Sequence, residues 1–196
     1  MRELIQDGFT TAGRTLRAFV QADDNFGRIE AVARALAACF QAGGKVIVFG
    51  NGGSLCDATH FAEELTGRYR QDRPALPAIA LNDPAHISCV ANDYGFEYIF
   101  SRGVEALTRP GDVAVGLSTS GNSSNVIAAL KTARDRGCRT VAILGGEGGL
   151  LAGTCDFELL VPADTSDRVQ ELHIIILHIL VHCVEILLFG ESEEGS

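Results

Sequence analysis

The sequence predicts an α/β protein: a five-stranded parallel sheet covered by helices on both faces, a three-layer sandwich preceded by two N-terminal helices. Three observations predict it. Five short apolar runs alternate with segments of helical periodicity, and parallel neighbours require such crossovers. The runs read as strands buried on both faces, as parallel strands are. Two of them end in loops rich in glycine or hydroxyl residues, where open α/β sheets hold their ligands.

Residues 3–22 and 25–42 come first. Leu4, Ile5, Phe9, Leu16 and Phe19 recur at helical spacing, as do Ile29, Val32, Leu36 and Phe40. Gly43-Gly44 stops the second helix. KVIVFG (45–50) is the first strand, and Ser54 can cap a helix running to about Tyr69. PAIAL (77–81) is the second strand, followed by helices near 85–92 and 96–108. DVAVGLS (112–118) is the third, and a helix from Asn125 to Arg136 is closed by Gly137. RTVAIL (139–144) and DFELLV (156–161) are the fourth and fifth. A long helix covers 166–189, and the polar tail 190–196 is expected to fray. No linker or repeat divides the 196 residues, so one domain with a substantial core is expected.

Composition excludes several classes. A formal net charge of -9 opposes a surface for nucleic-acid backbones, yet backbone N–H groups and hydroxyls can hold one phosphate without net positive charge. The N-terminus lacks the apolar stretch of a signal peptide. LHIIILHILVHCVEILLF is long enough to raise the membrane question, but three His and one Glu interrupt it, so a buried helix is expected. Six cysteines without a CxxC pair suggest neither a disulfide framework nor structural zinc; reduced thiols and a cytoplasmic location follow.

Four segments carry chemistry. FGNGGS (49–54) lets a backbone approach a ligand, with a helix N-terminus behind it, though a tight strand-to-helix turn has the same composition. It meets neither the dinucleotide nor the P-loop fingerprint. STSGNSSN (118–125) packs Ser118, Thr119, Ser120, Ser123 and Ser124 around Gly121 at another helix start, a neutral phosphate cradle. His60 and Glu64 share one helix face at i,i+4, which suits two metal ligands, a base with its partner, or a surface ion pair. The last helix holds Gln170, His173, His178 and His182; spacing alone does not choose among its histidines.

FGNGGS, DATHFAEELTGRY, HISCVANDYGFEYIFSR, LSTSGNSSNV and DRVQELHIIILHIL stand in this order. Together they resemble the phosphoheptose isomerases, members of the sugar isomerase (SIS) domain superfamily with its flavodoxin-like sandwich. The resemblance spans nearly the whole chain and implies isomerisation of sedoheptulose 7-phosphate to an aldoheptose 7-phosphate that feeds heptose and lipopolysaccharide synthesis. It implies zinc held by His60, Glu64, Gln170 and His178, with Glu64 and His178 as the acid/base pair. Sugar-phosphate contacts are implied for Asn51, Gly52, Gly53, Ser54, Glu64, Arg68, Asn92, Asp93, Ser118, Thr119, Ser120, Ser123, Asp167 and Gln170. It further implies a homotetramer; the apolar helices 1–42 and 166–189 exceed what one small sheet must cover, so residues 1–42 are expected to serve oligomerisation.

Gln170 and His178 are eight residues apart, roughly 12 Å of helix rise. They are therefore expected to serve one metal ion only if different subunits supply them, which puts the site at an interface. Two alternatives keep the fold: an isomerase or lyase for another phosphosugar, and a non-catalytic SIS protein that binds phosphosugars or replication-initiation partners. The second need not keep the four ligand positions, and this chain has them all.

Overall fold

A computed structural model describes residues 1–22 and 24–190. The strands β1 (Val46–Gly50), β2 (Ala78–Ala80), β3 (Val113–Ser118), β4 (Arg139–Gly145) and β5 (Phe157–Val161) form one sheet in the order β2-β1-β3-β4-β5, every pair parallel. The order reverses between β1 and β3, whose register runs from Val46 opposite Val113 to Gly50 opposite Leu117. Their two following loops therefore open side by side at the switch point.

Side chains alternate across each strand and bury both faces. Val46, Val48, Val113, Val115 and Ile143 pack under α2 (Asn25–Gln41), α3 (Gly53–Thr66) and α7 (Ser166–Phe189). Ile47, Phe49, Ala114 and Leu144 pack on the other face, with Val90 of α4 (Pro84–Asp93), Val104 of α5 (Ser101–Leu107) and Leu130 of α6 (Ser124–Asp135). α1 (Arg2–Gln21) lies outside the sandwich against α7 and α2.

Gly43 and Gly137 end α2 and α6 as the sequence predicts. At each, a residue with positive φ turns the chain so that paired N–H groups reach back to terminal carbonyls: Gly44 to Cys39 and Gly43 to Phe40, then Cys138 to Ala133 and Gly137 to Arg134.

Elsewhere the boundaries shift for local reasons. α3 begins at Gly53, with Gly52 in the cap position, so Ser54 is not its cap. It ends at Thr66 rather than Tyr69, because Gly67 breaks it and Arg73 takes its last carbonyls. β2 keeps three residues at the sheet edge, and the bonds from Val46 N to Pro77 O and from Leu81 N to Val48 O flank them. The segment 96–108 divides into a 3-10 turn, Phe96–Tyr98, and α5. The tail 191–196 lies outside the described residues.

Among the described residues, α7 is the one helix long and apolar enough to cross a membrane. Here Leu172, Ile176, Leu177, Leu180, Val181 and Val184 are buried in the core, as predicted for a core helix.

Candidate active site beside the switch point

α3 and α7 run together on one face of the sheet, and three predicted ligands meet between them. His60 Nε2 lies 3.2 Å from Glu64 Oε1 and 2.9 Å from His178 Nε2, and His178 Nε2 lies 3.9 Å from Glu64 Oε1. His60 and Glu64 converge because four residues make about one helical turn. His178 joins them only through the packing of α7 on α3. The cluster is open: the His60 and His178 side chains are 45% and 38% exposed, while Glu64 is 16% exposed.

The geometry suits a metal. Tetrahedral zinc with N and O ligands at 2.0–2.2 Å has ligand-to-ligand edges of roughly 3.4 Å, and the three measured edges bracket that value. Two imidazole nitrogens and one carboxylate oxygen are also a donor set zinc accepts, with a position left for a further ligand.

Gln170 is not in the cluster. It sits at the other end of the α3–α7 groove, against Gly53: a Cβ at that glycine would come within 2.6 Å of Gln170 Oε1. A side chain at 53 would push Gln170 away, which is a physical reason for the last glycine of FGNGGS.

The histidines of α7 now separate. His173 is 0% exposed, and neither ring nitrogen has a hydrogen-bond partner. Burial lowers its pKa to about 4, opposed in part by the Leu144 backbone. It is a core residue. His178 faces the cluster and stacks on Tyr69, with ring centroids 5.9 Å apart and planes 23° apart. His182 lies one turn further on, 6.5 Å from the same tyrosine ring.

Sequence reasoning missed two neighbours of the cluster. Asp57 is one turn before His60; burial raises its carboxyl to about 6, against the opposing pull of His60, and Oδ2 has no partner. Its spacing of three from His60 was a visible signal. Tyr69 gave none, because it follows the end of α3.

The hydroxyls of the second loop bond among themselves and to backbone N–H groups. Ser118 Oγ is 3.1 Å from Ser123 Oγ and accepts from Gly121 N, Ser120 Oγ accepts from Asn122 N, and Thr119 Oγ1 is 3.2 Å from Ser166 Oγ. Ser123 is the α6 N-cap residue, yet its hydroxyl makes no capping bond. Val126 N donates to Asn125 Oδ1 at 2.9 Å, so the N–H groups of Ser124 and Asn125 are the ones left open to an anion at the start of α6. Gly121 has φ +64, and a Cβ there would lie 1.8 Å from Gly148 O, so only glycine closes this loop against the turn after β4. A cavity of about 500 Å³ lies alongside, lined by Thr119, Ser120, Asn122, Thr165 and Ser166.

Other predicted contacts are placed unevenly. Gly52 and His60 line a cleft of about 490 Å³ with Thr59 and Asn82. The Asn51 amide is engaged in reciprocal bonds of 2.9 and 2.8 Å with Asn125, tying the two loops together. Ser54 is buried. Arg68 is exposed just past α3. Asp167 pairs with Arg168 at the start of α7, and hydrogen bonds from Thr165 and Arg168 hold its carboxyl down at about 2. Asn92 donates to Asp93 at the end of α4, both exposed and on neither cavity described above.

A doubly wound sheet with a hydroxyl-rich loop at its switch point and a His/Glu/His cluster beside it fits the sugar isomerase class. The profile of the SIS domain family matches residues 9–145. The phosphoheptose isomerase of Fusobacterium nucleatum is 54% identical over 94% of this chain and 95% of its own length. That of Proteus mirabilis is 52% identical over 94% and 96%. The solved phosphoheptose isomerase GmhA from Neisseria gonorrhoeae superposes with a TM-score of 0.87 at 38% identity, covering 94% of this chain and 98% of that one. The chain belongs to the phosphoheptose isomerase family.

Proposed function

We propose that this protein converts sedoheptulose 7-phosphate to D-glycero-D-manno-heptose 7-phosphate by proton transfer between C1 and C2 through an enediol. The observation that carries this reading is the approach of Glu64 Oε1 to within 3.9 Å of His178 Nε2 across two helices. Two groups so placed can each address one of two adjacent carbons or their oxygens. A carbon-bound proton beside a carbonyl is weakly acidic, so removal needs a positioned base, and the oxygen that gains charge needs a proton or a donor. Glu64 and His178 divide those transfers.

The hydroxyl loop and the start of α6 hold the phosphate at the far end of the sugar, and that binding orients the reacting carbons. Zinc held by His60, Glu64 and His178 would polarise the carbonyl oxygen. Gln170 of the same chain lies away from the cluster, so in this reading a neighbouring copy supplies the fourth ligand. Asn92 and Asp93 are likewise assigned to a site shared between copies.

A homotetramer is supported by apolar surface. Phe9 is 79% exposed, Leu4 69% and Ile5 56% on α1, while Ile175 and Ile179 of α7 are also exposed. Between these helices and α2 runs an apolar groove of about 470 Å³ lined by Leu16, Phe19, Val20, Phe26, Ile175 and Ile179. A surface of that kind in water favours association. The product would enter heptose synthesis for lipopolysaccharide in the cytoplasm.

The test is incubation of metal-analysed protein with sedoheptulose 7-phosphate, with NMR of the sugar products. A new aldoheptose 7-phosphate, absent after chelation and absent with Glu64→Gln, is expected. Unchanged turnover by Glu64→Gln would refute the acid/base assignment.

A further inference from the structure

The cluster depends on two helices keeping one register, and a buried ion pair joins those helices just beyond it. The Arg73 side chain is 1% exposed and Glu185 is 0% exposed, with Arg73 Nε 3.0 Å from Glu185 Oε1. Arg73 comes from the loop between α3 and β2. Its Nη2 donates to the carbonyl of Glu64 at 2.7 Å, and its Nη1 donates to Leu65 at 2.7 Å, Gly67 at 3.1 Å and Pro74 at 3.2 Å. Glu185 also accepts from Arg70 N at 3.4 Å. The guanidinium thus collects the carbonyls that the end of α3 leaves unpaired, where the helix dipole favours a cation.

A sealed ion pair is a weak source of stability. Desolvating both charges offsets much of their attraction, and apolar pairs of similar volume often do as well. What the pair supplies is geometry. Glu185 is seven residues, two helical turns, past His178 and so lies on the same side of α7. Arg73 grips the backbone of Glu64 itself. One planar group therefore links a donor residue on α3 to the helix that carries His178. Its five N–H donors have fixed directions, which an ammonium does not reproduce.

We propose that Arg73, held by Glu185, is a positioning residue for the metal and acid/base cluster: it fixes α3 against α7 so that His60, Glu64 and His178 converge. This rests on the reading of the cluster as a metal site. Arg73 touches neither the metal position nor the substrate; it acts through the Glu64 carbonyl and through Glu185.

The experiment compares the parent protein, Arg73→Lys, and the double variant Arg73→Met/Glu185→Leu, each stripped of metal and shown by circular dichroism to be folded. The double variant is chosen because Arg73→Met alone would strand a buried carboxylate. Titration with Co²⁺, followed by its visible absorption, reads the donor geometry apart from catalysis. Loss of about tenfold or more in Co²⁺ affinity is expected in both variants, with a changed band shape and a fall in kcat that exceeds any change in KM. Lysine is not expected to rescue, because it restores the charge without the fork. A folded double variant with the parent's Co²⁺ affinity, spectrum and kcat would overturn the proposal. Failure of the parent itself to bind Co²⁺ would instead sink the metal reading, and the positioning role with it.

Discussion

His173 shows how far surroundings decide what a side chain does. It shares α7 with His178 and has the same intrinsic chemistry, but burial holds it neutral, with a pKa of about 4. Its ordinary value is near 6.5, so between pH 6.5 and 4 the unfolded chain binds the extra proton and the folded chain does not. The sign is therefore fixed: this contribution is fully present above pH 6.5 and is lost as pH falls through that window. The full loss is on the order of 3 kcal/mol. Urea unfolding at pH 7 and pH 5 should show a larger drop for the parent than for His173→Leu, whose apolar side chain has nothing to protonate. Equal drops would mean that His173 finds a partner when charged. His60 with Glu64 was legible in the sequence because helix geometry alone pairs positions four apart. The choice of His178 over His173 and His182 rested on resemblance, since it depends on which face of α7 meets α3.

Among the elements, the two loops at the switch point depend on glycines for different reasons. Gly53 makes room for Gln170, and Gly121 lets the hydroxyl loop pass under the carbonyl of Gly148. Gly121→Ala meets both a positive φ and a backbone clash, so it should cost at least roughly 1–3 kcal/mol and displace Ser118, Ser120 and Ser123 together. The KM for the sugar phosphate should rise roughly tenfold or more, equivalent to about 1.4 kcal/mol of binding, while the apo protein keeps its Co²⁺ affinity. A loss of both would show that the anion loop and the α3–α7 cluster are not independent. The composition of these loops marked them as candidate ligand loops in the sequence. That Asn51 and Asn125 bind each other across the switch point was not legible, because the residues are 74 positions apart.

For the whole molecule, the open cluster and the apolar outer helices point the same way. Replacing Phe9 and Ile179 with Glu puts charge on surface that the tetramer would bury, and light scattering should then report smaller species. Circular dichroism should be unchanged, because both side chains lie outside the core. Turnover should fall with assembly if a neighbouring copy completes the site; full activity in a monomer would refute shared sites. Local patterns along the chain were enough to place the parallel sheet, the helices of the described residues and two candidate ligand loops. Strand hydrophobicity, helical periodicity and glycine stops act over a few residues, and the amino acids encode them directly. Three-dimensional packing alone laid α7 along α3, set Gln170 at Gly53 and His178 at Glu64, and brought Arg73 to Glu185. Those contacts join residues far apart in the chain, and packing fixes them through helix rotation and register.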